Sequence, residues 1–170
     1  MRSVDIANMF VEGCGGSFAL TNLGLNRLVY FAQVESLRDG RGPLFDDCIE
    51  AWECGPVEPM VYRAFESCGR SPIEGPCETA PQDNGAREVV RRVAETYGRL
   101  SAFDLIMVSR REGGAWRGAY DPECNREITL QDIERSADMD GFGSIGETFS
   151  QKAESVMAAL PNTLRLLQNS

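Results

Sequence analysis

The chain has 170 residues, of which 42% are hydrophobic and 25% charged, and this length and composition favour one soluble globular domain. Its 17 basic and 26 acidic residues give a net charge of −9, which argues against nucleic-acid binding because phosphate recognition needs clustered positive charge. The chain contains no histidine, which excludes catalysis by a histidine base and metal sites with histidine ligands.

The amino terminus lacks the pattern of a signal peptide, because Asp5 and Asn8 interrupt any apolar stretch. No apolar run approaches the roughly 20 residues of a membrane span. We therefore expect a cytoplasmic protein whose six cysteines are reduced thiols. These cysteines contain no CxxC pair and are spaced more widely than the ligands of structural zinc sites, which argues against a metal role.

The amino-terminal part of the chain predicts two helices. Ser3 is the expected N-cap of the first helix, which a cluster of glycines ends. Thr21 is the expected N-cap of the second, with Leu20 and Leu25 at the two positions of a hydrophobic staple. The second helix carries one buried apolar stripe and ends at the turn residues 39–43.

Residues 44–54 change to an extended pattern between turn residues and predict one or two short strands. Gly55 and Pro56 are expected to close this segment. Pro59 suits the first turn of a third helix, because its missing N–H is harmless there, and Gly69 is expected to end that helix.

Residues 70–85 are rich in proline and predict a loop between two helices of one domain. A fourth helix follows and ends at Gly98. Ser101 and Asp104 predict a capping box at the start of a fifth, and residues 128–133 have the pattern of staple, cap and helix start. The pattern as a whole indicates a mainly α protein.

The carboxyl-terminal part predicts a polar loop over residues 137–146 and a helix over residues 147–160. The loop copies part of the spacing of a calcium-binding helix–loop–helix, with Asp138, Asp140 and Glu147 as candidate ligands. A serine occupies the first ligand position, and the chain has no second loop to pair with this one. A polar connector without metal is therefore the favoured interpretation.

Charge is distributed unevenly along the chain. Residues 46–83, the acidic stretch, hold nine acidic residues against two arginines, a net charge of −7. Residues 87–117 hold seven arginines against four acidic residues, a net charge of +3. The acidic stretch is either ordinary solvated surface or a docking surface for a basic partner.

No group of residues forms an enzyme site by its spacing. Paired carboxylates such as Asp46 and Asp47 lack an apolar pocket that would separate their pKa values. The glycines near the amino terminus lack the lysine and the preceding strand of a phosphate-binding loop.

Several segments occur in a characteristic order: LVYFAQ at 28–33, PLFD at 43–46, EAWECGPVEPMVY at 50–62, YG at 97–98 and SRREGGAW at 109–116. Together they resemble the Panacea domain of SocA-like antitoxins and phage-associated GepA-like proteins, over about residues 3–136. The block at 50–62 is long and specific. Where the family has a Thr-His-x-Glu segment, this chain has SRRE at 109–112, so Arg110 stands in place of the histidine.

The resemblance implies a compact, mainly helical single domain with a small β-hairpin near residues 44–54, in a bacterial or phage protein. It implies that the protein is encoded beside a toxin and neutralises it by direct binding, with no catalytic residues and no cofactor. Since the resemblance ends near residue 136, we expect a Panacea-like helical domain over residues 1–136. The residue pattern predicts a loop plus a C-terminal helical extension over residues 137–170, packed on the same domain.

The expected partner is a cognate protein toxin with a basic surface, which the acidic stretch would steer into contact. Tight binding would also need desolvated aromatic and charged residues, and the candidates are Glu50, Trp52, Glu53, Glu58, Tyr62 and Trp116. One alternative is a different interaction role, as a phage- or prophage-derived inhibitor or a protease adaptor. Another is a DNA-binding autorepressor, which the arginine-rich segment keeps open although the net charge opposes it. An enzyme is the least supported class.

Overall fold

The computed structural model describes residues 1–14 and 20–141, with the side chains of Cys14 and Ala102 left out. The α-helices of this part are α1 (Ser3–Cys14), α2 (Asn22–Arg38), α3 (Pro59–Ala64), α4 (Asn84–Tyr97), α5 (Ala102–Ser109), α6 (Ala115–Ala119) and α7 (Leu130–Glu134). The two strands are β1 (Glu50–Trp52) and β2 (Gly55–Val57), and 3-10 helices cover Glu66–Cys68 and Ala137–Asp140. The predicted mainly α fold with a small hairpin is confirmed.

The chain divides into two units, Met1–Met139 and Asp140–Ser170. The second unit contributes only Asp140 and Gly141 to the described residues. The helix predicted over residues 147–160 lies outside them, so the division of the chain at residue 136 stays a prediction. No helix in the described ranges is long and apolar enough to cross a membrane.

Helix α2 lies at the centre of the first unit. Fourteen of its 17 residues are buried, and it contacts α1, α3, α4, α5, α7 and β2. Phe31 of α2 stacks on Tyr97 of α4, with ring centroids 4.3 Å apart and an interplanar angle of 7°. The single buried stripe predicted from the sequence is therefore too narrow, because almost the whole circumference of this helix is covered.

Buried polar side chains of α2 bind the main chain of the segment before α3. The Gln33 amide donates from Nε2 to the Phe45 carbonyl at 2.9 Å and accepts the Leu44 N–H at 2.8 Å through Oε1. Asn26 Oδ1 accepts the backbone N–H of Glu58 at 3.0 Å. Because unpaired backbone groups are costly to bury, these contacts fix where the segment crosses the helix.

The β-hairpin lies slightly later in the sequence than predicted. Strands β1 and β2 pair antiparallel, with Glu50 opposite Val57 and Trp52 opposite Gly55. Pro56 lies opposite Ala51 and has no N–H to donate to the ladder. The N–H of Ala51 donates outside the hairpin, to the carbonyl of residue 126 at 2.8 Å. Residues 44–49 therefore precede the hairpin, and the Gly-Pro pair taken for its closing turn lies in its second strand.

Local signals located several helix starts correctly. Thr21 accepts the N–H of Gly24, and the capping box of Ser101 with Asp104 is present as predicted. Ser3 was wrongly predicted as a cap, because it lies within α1 and its buried Oγ has no hydrogen-bond partner among the described residues. The Asp5 carboxylate instead accepts the N–H of the residue before the helix, at 2.9 Å.

Candidate partner-binding site

An aromatic pair lies beside the β-hairpin, among the residues predicted to contact a partner. Glu50 and Trp52 share one face of β1 because they are two residues apart, and Trp52 Nε1 donates to Glu50 Oε2 at 2.6 Å. The Trp52 ring contacts Tyr62 of α3, with ring centroids 5.1 Å apart. These three side chains are half-buried, and Glu53 is exposed in the turn. The structure thus brings four predicted contact residues to one edge of the hairpin.

The other two predicted contact residues, Glu58 and Trp116, are buried, with exposures of 1% and 0%. Trp116 lies in α6, and its Nε1 donates to the main-chain carbonyl of Trp52 at 2.8 Å. Its ring therefore supports β1 from inside the fold. Neither side chain reaches the surface of the described fold, so we leave both out of the candidate surface.

Arg27 of α2 binds main-chain carbonyls of the hairpin. Its guanidinium donates to the Pro56 carbonyl at 2.6 Å and to the Cys54 carbonyl, although the side chain is fully buried. Burial lowers the pKa of Arg27, and its Nε has no hydrogen-bond partner among the described residues. Gly55 has φ +121°, and a Cβ atom there would lie 2.8 Å from that Nε. Glycine is therefore required at this position for both backbone geometry and space.

A groove of about 580 Å³ runs between the turn and helix α5. Its lining, which defines the hairpin groove, consists of Trp52, Glu53, Cys54, Phe103, Ile106, Arg110 and Asn125. Phe103 is 69% exposed, and Met107, one helical turn further on, is 46% exposed. Two large apolar side chains on one short helix face solvent beside a groove, and contiguous exposed apolar surface of this kind is typical of interaction sites.

The hairpin groove contains one exposed cation, Arg110, and the buried cation of Arg27 lies close to it. Arg110 is exposed, and its guanidinium lies over the Trp116 ring, 4.5 Å from the centroid. The charge of Arg110 helps to lower the pKa of the buried Arg27, so the two cations lie close enough to repel. Glu53 is the one carboxylate among the lining residues. Arg110 and Glu53 therefore balance in the lining, and the further positive charge is that of Arg27, which is fully buried.

Glu58 is an unusual buried acid. It holds the N-cap position of α3 without a side-chain capping bond, and neither carboxylate oxygen has a hydrogen-bond partner among the described residues. Burial, and to a lesser extent the charge of Asp47, raise the pKa of Glu58 well above its ordinary value. No local pattern in the sequence indicates this burial, since Glu58 stands among other acidic residues.

Asp138 lies in a buried hydrogen-bond cluster. Its carboxylate accepts the Tyr30 hydroxyl at 2.6 Å, the backbone N–H of Ala115 at 2.9 Å and the Arg111 Nε–H at 3.0 Å. Both oxygens are thus already bonded to protein groups. Asp138 is therefore not free to bind calcium. Glu147, the last candidate ligand of the predicted calcium loop, lies outside the described residues. The described part of the chain contains no acid and cysteine cluster placed to hold a metal ion.

The described cysteine side chains are free thiols, namely Cys48, Cys54, Cys68, Cys77 and Cys124. Burial raises the pKa of Cys48, and the nearby acidic residues add to this effect. Cys54 is half-buried in the hairpin groove.

Comparisons with known proteins bear directly on this region. Residues 25–117, which include most of α2, the hairpin, α5 and most of the groove, match the family model described as "Antitoxin SocA-like, Panacea domain". The protein named Antitoxin SocA from Caulobacter vibrioides (strain NA1000 / CB15N) is 34% identical over 131 residues, with 68% of this chain and 70% of the relative covered. No solved structure matches the chain.

The family match covers more than half of the chain, and the relative is matched over more than two thirds of its length. The resemblance of the block at residues 50–62 is therefore confirmed by two independent comparisons. The chain belongs to the SocA-like antitoxin family that is defined by the Panacea domain.

Proposed function

We propose that this chain is an antitoxin that neutralises a cognate protein toxin by binding to it directly, with no enzymatic step. The observation that carries the proposal is the family match over residues 25–117, within which the aromatic pair and the exposed apolar residues of α5 lie around the hairpin. The half-buried Trp52 and Tyr62, with Glu50 and Glu53 at their rim, form the contact surface. Aromatic residues in such positions commonly dominate binding energy.

Fewer residues of the acidic stretch are available to attract a basic partner than its net charge of −7 suggests. Five of its nine acidic residues are either buried or already bonded to other groups of the chain, namely Asp47, Glu50, Glu58, Glu78 and Asp83. The other four acidic residues are exposed, namely Asp46, Glu53, Glu66 and Glu74. These four are free to act at a distance on an approaching cation-rich surface.

The DNA-binding alternative is weakened by the ion pairs of the arginine-rich segment. Five of its seven arginines pair with carboxylates of the chain, namely Arg87, Arg91, Arg92, Arg111 and Arg117. Their charge is thereby largely neutralised locally, whereas phosphate binding requires free cations. An interaction role as a phage-derived inhibitor or protease adaptor would use the same protein-binding surface, and the partner's fate distinguishes it from simple neutralisation.

The test is co-expression of the candidate toxin encoded beside this gene, with and without this chain. We expect growth arrest by the toxin alone, and relief by the wild-type chain together with co-purification of the two proteins. Trp52→Ala is expected to weaken the complex by at least about tenfold and to remove relief. Met60→Ala, which removes an exposed apolar side chain outside the hairpin groove, is the control.

A thermal melt separates binding from folding in this experiment. A cooperative melt of Trp52→Ala with weak binding supports a contact residue, whereas loss of cooperativity assigns Trp52 to the core. Undiminished growth arrest in the presence of soluble wild-type chain contradicts the proposal. Relief that depends on a host protease, with loss of the toxin from the cell, favours the adaptor alternative.

Steering by the acidic stretch has its own expected result. Glu66→Lys combined with Glu74→Lys should slow association with the toxin by about tenfold at low salt and flatten its salt dependence. Dissociation should change less, because exposed charges act over roughly 8 Å at physiological salt and not through close contact. Stopped-flow mixing at two salt concentrations measures both rates. Glu112→Lys with Glu134→Lys is the matched control, and an equal effect there would mean that net charge alone is responsible.

A further inference from the structure

We propose that the hairpin groove receives a segment of the partner in which a large apolar side chain is followed by a carboxylate. The inference rests on the proposed function in so far as that partner is the toxin. It assigns a specific chemistry to a surface that lies beside the aromatic pair.

The apolar half of the segment follows from α5. Trp52, Phe103 and Ile106 line the groove, and Phe103 leaves more than two thirds of its surface in solvent. A short helix that carries exposed Phe103 and Met107 gains by covering them, since apolar surface removed from water stabilises a complex. The groove volume of about 580 Å³ is ample for one large side chain and the backbone that carries it.

The carboxylate half follows from Arg110, the exposed cation of the groove. The Arg110 guanidinium lies over the Trp116 ring, 4.5 Å from its centroid, and near the buried cation of Arg27. Neither guanidinium forms an ion pair within the described residues. A carboxylate placed at Arg110 would pair with an exposed planar donor and would offset the repulsion between the two cations.

A protein segment is a better occupant than a second copy of this chain. The chain carries a net charge of −9, so two copies repel at long range, whereas a cation-rich toxin can present one acidic residue within an otherwise attractive surface. Arg110 then selects the orientation of the partner at the groove, while the exposed acidic residues select its overall charge.

The first arm of the test measures toxin affinity for single variants. Phe103→Ser and Arg110→Gln are each expected to weaken binding by at least about tenfold, with Met60→Ser and Arg63→Gln as matched exposed controls that change it less than about twofold. Wild-type affinity in both groove variants would overturn the inference while leaving direct neutralisation intact. A loss in Phe103→Ser alone would overturn the carboxylate half.

The second arm does not depend on the toxin. Millimolar 3-phenylpropionate is expected to shift the NMR signal of the Trp52 indole N–H in the wild-type chain and to shift it several-fold less in Arg110→Gln. The uncharged 3-phenylpropionamide is the matched probe and should bind more weakly. Equal shifts with both probes, or none, would overturn the charge preference. If the toxin fails to bind the wild-type chain but the carboxylate probe binds, the proposed function fails and the groove chemistry stands.

Phe103→Ser also tests whether a second copy of this chain occupies the hairpin groove. The wild-type chain and Phe103→Ser should elute identically on size exclusion over a hundredfold range of concentration. Conversion of a wild-type dimer to a monomer by Phe103→Ser would identify a second copy as the occupant and overturn the inference.

Discussion

Asp138→Ala is expected to lower the free energy of unfolding by about 3–5 kcal/mol, the usual cost of breaking a buried ion pair by removing one partner. The substitution leaves Arg111 without its carboxylate and the buried hydroxyl of Tyr30 and N–H of Ala115 without an acceptor. The melting temperature should fall by on the order of 10 °C. Urea unfolding followed by circular dichroism measures both the midpoint and the slope.

The neighbouring acid supplies the control for Asp138. Asp140→Ala removes an exposed carboxylate two residues away and should change stability by less than about 0.5 kcal/mol. The double variant Asp138→Ala with Arg111→Met should cost less than the sum of the single changes, because each partner compensates the other. Equal, small effects of the Asp138 and Asp140 substitutions would mean that the buried cluster does not stabilise the fold.

Stability of the wild-type chain should fall as the pH rises from about 5 to 8, and Glu58→Gln should remove part of that fall. The folded state raises the pKa of Glu58, so the native protein keeps a proton that the unfolded chain releases above its ordinary pKa. The stability that this retained proton confers is fully present below the pKa of Glu58 in the unfolded chain. It is lost as the pH rises towards the pKa of Glu58 in the folded state, by up to about 1.4 kcal/mol in the free energy of unfolding per pH unit.

The informative quantity is the difference between the wild-type chain and Glu58→Gln at each pH. We expect the variant to gain steadily on the wild type between pH 5 and 8 in urea unfolding experiments. Glu53→Gln, which makes the same change at an exposed position of the same hairpin region, is the matched control. A constant difference for Glu58→Gln would contradict the assignment of a protonated buried acid.

The sequence predicted what depends on nearest neighbours along the chain. Capping boxes at Ser101 and Thr129 could be recognised because the cap and its partner lie three residues apart and need no tertiary contact. The mainly α class followed from the same local signals. The block at residues 50–62 gave the family, which composition and periodicity alone did not.

The parts that sequence reasoning missed depend on long-range contacts. Arg27 meets a carbonyl 29 residues away, and Asp138 meets a hydroxyl 108 residues away. No pattern along the chain distinguishes the buried Glu58 from its exposed acidic neighbours, or the buried Trp116 from the half-buried Trp52. Two of the six predicted contact residues, Glu58 and Trp116, are therefore buried, and Phe103 and Arg110 line a groove that the sequence reasoning did not indicate. The signal that could have indicated Phe103 is the mostly apolar sequence of α5, in which more positions are apolar than one buried face requires.

The hydrogen bonds that α2 makes to the hairpin and to the residues on either side of it go to main-chain atoms, and this has a consequence for sequence variation. Arg27 binds two carbonyls of the hairpin, which every residue type supplies, so the side chains of Glu53 and Cys54 are free to differ without moving the turn. Only Gly55 is fixed by its own shape. Related chains can thus carry different turn residues, and so meet different partners, on an unaltered frame, much as variable loops do on an antibody scaffold.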